Sequence, residues 1–352
     1  MAWVKRMDKE LIVGIAGFGN VGRAVVKKIV NEHDYISKRY GLKIKVKFIA
    51  DSKGALLGDP WIKHSTLLKS LSTPRGGVST LPGGIRGTTV TEVLRKVNVN
   101  FLVEVTPSNY VNAEPAKTHF MEAIKKRSKI VTANKGPLAL YFKELMSLAN
   151  KYDTAIYYKA CVMAGTPLID LLKYGLAGRR VVKVVGVLNG TTNYILGLLE
   201  QGFNLNEALE LAQKKGYAEP DPSLDLKGLD LAAKTAIISC TLGKYITIND
   251  VEILDTIDEN VESKVDRLKV HGERLKYVSY LELREHKVKA QVKLVEVRKN
   301  NPLYNVSNVL NGVIIELSDG SKIYLEGPGA GSEVTAATIL SDLILASEIR
   351  WL

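Results

Sequence analysis

The chain has 352 residues, enough for two domains that each bury a core, and its 46% hydrophobic and 24% charged residues are those of an ordinary globular protein. No apolar run is long enough to span a bilayer, and the opening MAWVKRMDKE lacks a secretory pattern, so a cytoplasmic protein without membrane contact is expected. The net charge of +12 raises nucleic acid as a partner, but the lysines are dispersed and alternate with apolar residues at 43–47 and 287–293, as on a solvated strand face, so no nucleic-acid partner is expected.

Residues 11–16 (LIVGIA) form a short apolar run that stops at glycines, the pattern of a buried parallel strand. Residues 21–30 place Val21, Ala24, Val25 and Ile29 on one helical stripe. A second strand is expected at 44–50, and loops with short helices across the Gly-, Ser-, Thr- and Pro-rich 52–88. Short apolar strands follow at 99–105 (VNFLVEV) and 129–133 (KIVTA), separated by a helical pattern. This alternation implies a Rossmann-like doubly wound parallel sheet in an α/β fold. After about 150 come a strand at 181–188, mostly helix over 205–243, and alternating strands over 287–326, an α+β second domain. The tail at 334–345 is helical and assigned back to the first domain. The expected division is 1–150 plus 327–352 for the first domain, and 151–326 for the second.

Gly17-Phe18-Gly19-Asn20-Val21-Gly22 fits G-x-G-x-x-G between the first strand and its helix. The first glycine permits the tight turn, the second lets backbone approach a pyrophosphate, and the third allows close helix–strand contact. The helix's unpaired amides then face the anion. Asp51, at the end of the second strand, occupies the place of the acid that binds the bare ribose of NAD. Ser52 and Lys53 follow it and suit the 2′-phosphate of NADP; Asp51 also reads as a simple turn residue, so the sequence leaves NADP or NAD open.

Hydride transfer to a carbonyl needs a proton donor beside the oxygen. None of His33, His64, His119, His271 or His286 ends a predicted central strand. Lys135, just after the strand 129–133, is therefore a candidate at the carboxyl edge of the sheet, against the plain alternative of a surface lysine. The densest cluster is GYAEPDPSLDLKGLDLAAK at 216–234. Prolines flank Asp221 in a rigid turn, and Asp225 is a candidate cap for the next helix. Asp230 and Lys234 lie four apart on one helix face whose neighbouring turns are apolar. A charged pair on so apolar a helix points to a function. Cys161 and Cys240 have neither disulfide nor metal spacing and read as buried thiols.

GYAEPDPSLDLKGLDLAAK, together with LNGTTNYIL at 188–196, ANKGPLA at 133–139 and GPGAG at 327–331, resembles the signature of homoserine dehydrogenases, in the family's order over nearly the whole chain. The resemblance implies NAD(P)-dependent interconversion of L-homoserine and L-aspartate 4-semialdehyde, on the route to threonine and methionine, by a homodimer. By motif, Lys234 and Lys135 match the lysines of proton transfer, and Asp230 the acid accompanying Lys234. Glu219 and Asp225 match the carboxylates that hold substrate; Thr191, with the backbone of 189–192, matches the loop touching it. Thr106, Pro107 and Ser108 match the nicotinamide-side loop. Many members carry Glu-Ala-Thr-Val where this chain has Lys159-Ala160-Cys161-Val162, and a charged lysine cannot ligate a cation. No glutamate-ligated metal is expected; the Lys159 ammonium either takes the cation's place or points to solvent. The chain ends at Leu352, so no added regulatory domain is expected. The alternatives are an aspartate-semialdehyde type of dehydrogenase, which needs a nucleophilic cysteine, and a protein that holds NAD(P) tightly with little turnover.

Overall fold

A computed structural model describes residues 9–285 and 287–348. The readings that touched residues 1–8, His286 and 349–352 lie outside the described residues. The chain forms two compact units. The first comprises the described residues up to Pro137, Lys143–Cys161, and those from Gly331 on; the second comprises Leu138–Phe142 and Val162–Ala330.

The first unit is built on a seven-stranded sheet. Its strands are β1 (Lys9–Ala16), β2 (Leu42–Asp51), β3 (Gly54–Leu57), β4 (Gly84–Arg86), β5 (Phe101–Glu104), β6 (Lys129–Thr132) and β7 (Ile156–Tyr157). Their order is β4-β3-β2-β1-β5-β6-β7. β1 pairs in parallel with both β2 and β5, so chain order reverses on its two sides, where such sheets open a crevice at their carboxyl ends. Leu11, Val13 and Ile15 of β1 and Val46 and Ile49 of β2 lie in its core. The helix Asn20–Asn31 buries Ala24, Val25, Val26 and Ile29 there, and the helix Ser332–Glu348 adds Ala336, Ile339 and Leu343 to the same core. Residues 52–88 differ from expectation: besides the helix His64–Leu71 they hold β3 and β4, an antiparallel extension of the sheet. Strands of three and four residues are too short to show a hydrophobic period.

The second unit holds a six-stranded sheet of β8 (Val181–Val187), β9 (Glu252–Ile253), β10 (Arg274–Leu283), β11 (Val288–Val297), β12 (Leu310–Leu317) and β13 (Lys322–Pro328), in the order β13-β12-β8-β10-β11-β9. All pairings are antiparallel except β11 with β9. β10 carried no expectation above, because the run Leu275–Ser279 is buried on both faces and shows no alternation. The helices Gly190–Leu199 and Leu229–Thr241 carry the residues of interest. The second of them is buried from Leu231 through Cys240 without a break.

Candidate active site

In the first unit the glycine turn follows β1 directly. Gly17 has φ +96°, and a Cβ there would meet the Val105 carbonyl at 2.7 Å, so only glycine fits. A Cβ on Gly22 would meet the Gly17 carbonyl oxygen at 2.1 Å; this is the close helix–strand contact expected of a third glycine. A Cβ on Gly19 would meet nothing within 4 Å, so the backbone there faces open space at the start of the helix, as a pyrophosphate cradle requires. Asn20 is exposed and Val21 half-buried. Phe18 departs from a cofactor contact through its ring, which is buried beneath the Arg23 guanidinium 4.7 Å away; only its backbone is available.

Asp51 turns both oxygens on its own surroundings. Oδ1 accepts the Lys53 N–H at 2.9 Å and Oδ2 the Val78 N–H at 3.0 Å. Ser52 and Lys53 are exposed beside it, and Arg75 donates to Asn20 Oδ1 at 3.2 Å. Arg23 ties the 70–74 segment to the same helix by donating to the carbonyls of Ser70, Leu71 and Pro74.

The loop Thr106-Pro107-Ser108, after β5, rests on a carboxylate that sequence reasoning did not single out. Glu104 is fully buried; its Oε1 accepts the Thr106 N–H at 2.9 Å and also the Thr106 hydroxyl. Its Oε2 lies 2.7 Å from His119 Nδ1, and His119 is buried too. Asn134 Nδ2 donates to the carbonyls of Thr106 and Pro107 at 3.0 and 3.2 Å, and the Lys135 N–H donates to Ser108 Oγ at 3.0 Å. Lys135 itself is half-buried, at the start of the helix Gly136–Lys151. A clue was present: an acid inside a four-residue strand whose neighbours are all buried needs a partner.

In the second unit, Lys234 is 7% exposed on the helix Leu229–Thr241. Its Nζ lies 2.6 Å from Asp230 Oδ2, one turn earlier, and donates to the Leu188 carbonyl that follows β8. Asn189 Nδ2 donates to Asp225 Oδ1 at 2.6 Å and to Asp230 Oδ2 at 2.9 Å, drawing Asp225, Asp230 and Lys234 into one network. Burial pushes the Asp225 carboxyl above its ordinary range, and the nearby Asp230 charge pushes the same way; the Asn189 amide, Lys234 and the Thr191 hydroxyl oppose them. Thr191 donates to the Tyr217 carbonyl at 2.7 Å, tying the 189–192 loop to the 216–219 segment.

Two readings change here, those of Asp225 and Lys159. Asp225 does not cap the following helix; it lies within the short helix Ser223–Leu226, and Gly228 at φ +77° makes the junction. Glycine is needed there, because a Cβ would meet the Tyr277 hydroxyl at 2.3 Å. The Glu219 carboxylate is exposed and takes no part in the network of Asp225, Asp230 and Lys234, although its segment is joined to that network through Thr191. Lys159, in the first unit, does not point to solvent. Its Nζ donates to Ser341 Oγ at 3.0 Å and lies 3.4 Å from Asp342, a buried ion pair.

Neither cysteine is equipped as a nucleophile. Cys161 is buried against the carbonyls of Thr132 and Asn134, and burial pushes the Cys240 thiol up to about 11. Among the described residues no His, Cys, Asp and Glu side chains gather in a group of three that would hold a metal, and no helix is long and apolar enough to cross a membrane.

Two family profiles match the chain: "Homoserine dehydrogenase, NAD binding domain" over residues 17–159 and "Homoserine dehydrogenase" over 167–344. A homoserine dehydrogenase of Methanocaldococcus jannaschii is 36% identical, with 94% of this chain and 96% of that one covered. An NAD(+)-dependent homoserine dehydrogenase of Pseudomonas canavaninivorans is 31% identical over 95% of this chain and 96% of its own. A hyperthermophilic archaeal homoserine dehydrogenase in complex with NADPH superposes with a TM-score of 0.82 at 29% identity, covering 96% of this chain and 98% of that one. With the glycine turn and the Asp230–Lys234 pair built as described, this chain belongs to the homoserine dehydrogenase family.

Proposed function

We propose that the chain carries out its family's reaction, the NAD(P)-dependent interconversion of L-homoserine and L-aspartate 4-semialdehyde, with Lys234 moving the proton. The observation that carries this reading is the Asp230–Lys234 pair, an ammonium 2.6 Å from a carboxylate on a helix that is buried from Leu231 through Cys240. The nicotinamide cofactor, when bound, accepts or donates the hydride. As the aldehyde is reduced, negative charge develops on its oxygen, and the Lys234 ammonium supplies the proton there; in the oxidising direction the lysine takes it back. Asp230 holds the ammonium on station. Lys135 is the second lysine of proton transfer by motif. Asp225, Glu219 and Thr191 hold the substrate's amino group and hydroxyl side.

Gly17, Gly19 and Gly22, with the backbone of Phe18, Asn20 and Val21, hold the pyrophosphate. Thr106, Pro107 and Ser108 form the nicotinamide side. Asp51 and Ser52 lie at the adenosine ribose, where the exposed cations Lys53 and Arg75 favour the 2′-phosphate of NADP(H). A homodimer belongs to this reading, supported by Val185, Tyr280 and Ile314 on β8, β10 and β12, which this chain leaves only half-buried. So does a cytoplasmic location. The reading includes no glutamate-ligated cation, because the side chain at 159 is an ammonium already bonded to Ser341 and Asp342. Crystallographic density for a cation within about 2.6 Å of the 162–164 carbonyls would overturn that part.

The test is a steady-state assay following reduced nicotinamide with L-homoserine and either NADP+ or NAD+, on protein freed of co-purified cofactor. Turnover with L-homoserine, faster with NADP+, is expected. Folded, cofactor-free protein that binds NADPH and turns over no homoserine would sink the assignment.

A further inference from the structure

Asn189 is 4% exposed, and its side chain is committed at both ends. The amide oxygen accepts the Thr192 N–H at 2.9 Å and the Thr192 hydroxyl at 3.1 Å, which makes Asn189 the cap of the helix Gly190–Leu199. That role orients the amide: the oxygen faces the helix, and the nitrogen faces the carboxylates. A primary amide has two N–H hydrogens, and the bonds to Asp225 and Asp230 use both. The two acids come from different elements, Asp225 from the short helix Ser223–Leu226 and Asp230 from the first turn of Leu229–Thr241. Asp230 offers the same Oδ2 to Asn189 and to Lys234.

We propose that Asn189 is a positioning residue for the reaction assigned above, a neutral bridge that keeps two adjacent carboxylates in one arrangement and so fixes Lys234. The role rests on that assignment. Two carboxylates placed this closely repel unless a donor lies between them or one takes a proton. Asp225 is faced by the Asn189 amide, the Thr191 hydroxyl, Asp230 and Lys234. Of these, only Asp230 favours the protonated form, together with burial. Taking away the Asn189 donors therefore raises the Asp225 carboxyl further and lets Asp230 swing with Lys234.

The experiment compares Asn189→Ser and Asn189→Thr with the unaltered chain. Serine and threonine both cap helices and add no charge, so the start of Gly190–Leu199 survives, but neither carries the bridging NH2. Losing hydrogen bonds to charged groups predicts a fall in kcat/KM for L-homoserine of about 10- to 100-fold. NADPH affinity should stay unchanged, and the acid limb of the kcat/KM profile should move to higher pH. If Asn189 serves only as a cap, N189S and N189T will keep the parent kcat/KM and pH profile, and the inference is overturned.

A second measurement does not depend on turnover. Asp225 titration is followed by carboxyl 13C NMR, with Asp225→Asn identifying the signal. N189S should titrate Asp225 at higher pH than the parent, and an unchanged titration overturns the inference whatever the activity. A parent that turns over no homoserine while N189S still shows the shift counts against the assigned reaction alone.

Discussion

The glycine-turn unit and the lysine–carboxylate unit use their charged groups in opposite ways. In the first, Asp51 and Glu104 are spent on backbone: each accepts N–H groups of the loops beside it, and His119 completes Glu104. What faces the open side of the turn is main chain, at Gly19 and the start of the helix. In the second unit the charges hold one another: Asp225 and Asp230 meet on Asn189, and Asp230 meets Lys234. The difference suits the proposed ligands. A pyrophosphate keeps its charge throughout the reaction, so fixed amide dipoles suffice for it. A substrate oxygen that gains and loses a proton needs side chains able to do the same.

The contrast breaks most sharply at Lys234. Lys234→Ala should lower kcat by about 10²- to 10⁴-fold, the usual worth of a positioned proton donor, and leave NADPH affinity nearly intact. Near-normal turnover would remove Lys234 from the chemistry. His119→Ala should show the opposite signature. It leaves Glu104 Oε2 buried without its hydrogen-bond partner, which costs about 1–3 kcal/mol of stability. Calorimetry or denaturant melts should therefore show a large loss, while kcat of the folded protein at saturating cofactor falls far less than in K234A. A melt unchanged by H119A would mean that the loop 106–108 does not depend on this pair.

What could be read from the sequence depended on how local each signal was. The glycine turn is six consecutive residues whose meaning is set by their own backbone, and the first unit's sheet shows in short apolar runs separated by a helical period. Asp230 and Lys234 are four apart on one helix, so helical geometry alone brings them together. Glu104 and His119 are not of this kind. They are 15 residues apart, on a strand and on the helix Ala116–Lys125, and only packing makes them partners. The Asn189 amide likewise reaches acids 36 and 41 residues away, so the sequence pointed to its backbone and not to its side chain. Asp225 looked like a cap because a helix follows it. The left-handed Gly228 puts a turn between them instead, demanded by the Tyr277 hydroxyl from β10, the strand without an alternating pattern.

The smallest expected effect tests whether the first unit also has a charged group left for its ligand. In the proposed reading Asp51 marks the ribose end, and its oxygens also accept the Lys53 and Val78 amides, which makes the acid a brace for the loop. Lys53 is exposed next to it, and Arg75 is held near the start of the glycine-turn helix through Asn20. Two exposed cations beside a committed acid favour a 2′-phosphate over a bare hydroxyl pair. Lys53→Ala and Arg75→Ala should each raise KM for NADPH by about 2- to 5-fold, the worth of a solvent-exposed ion pair, with little change for NADH. Because such contacts are screened, added salt should narrow the NADPH-to-NADH preference of the parent and leave that of the double variant flat. A parent that prefers NADH, with a preference indifferent to both substitutions and to salt, would return Asp51 to the ribose and leave the first unit's binding to backbone and one acid.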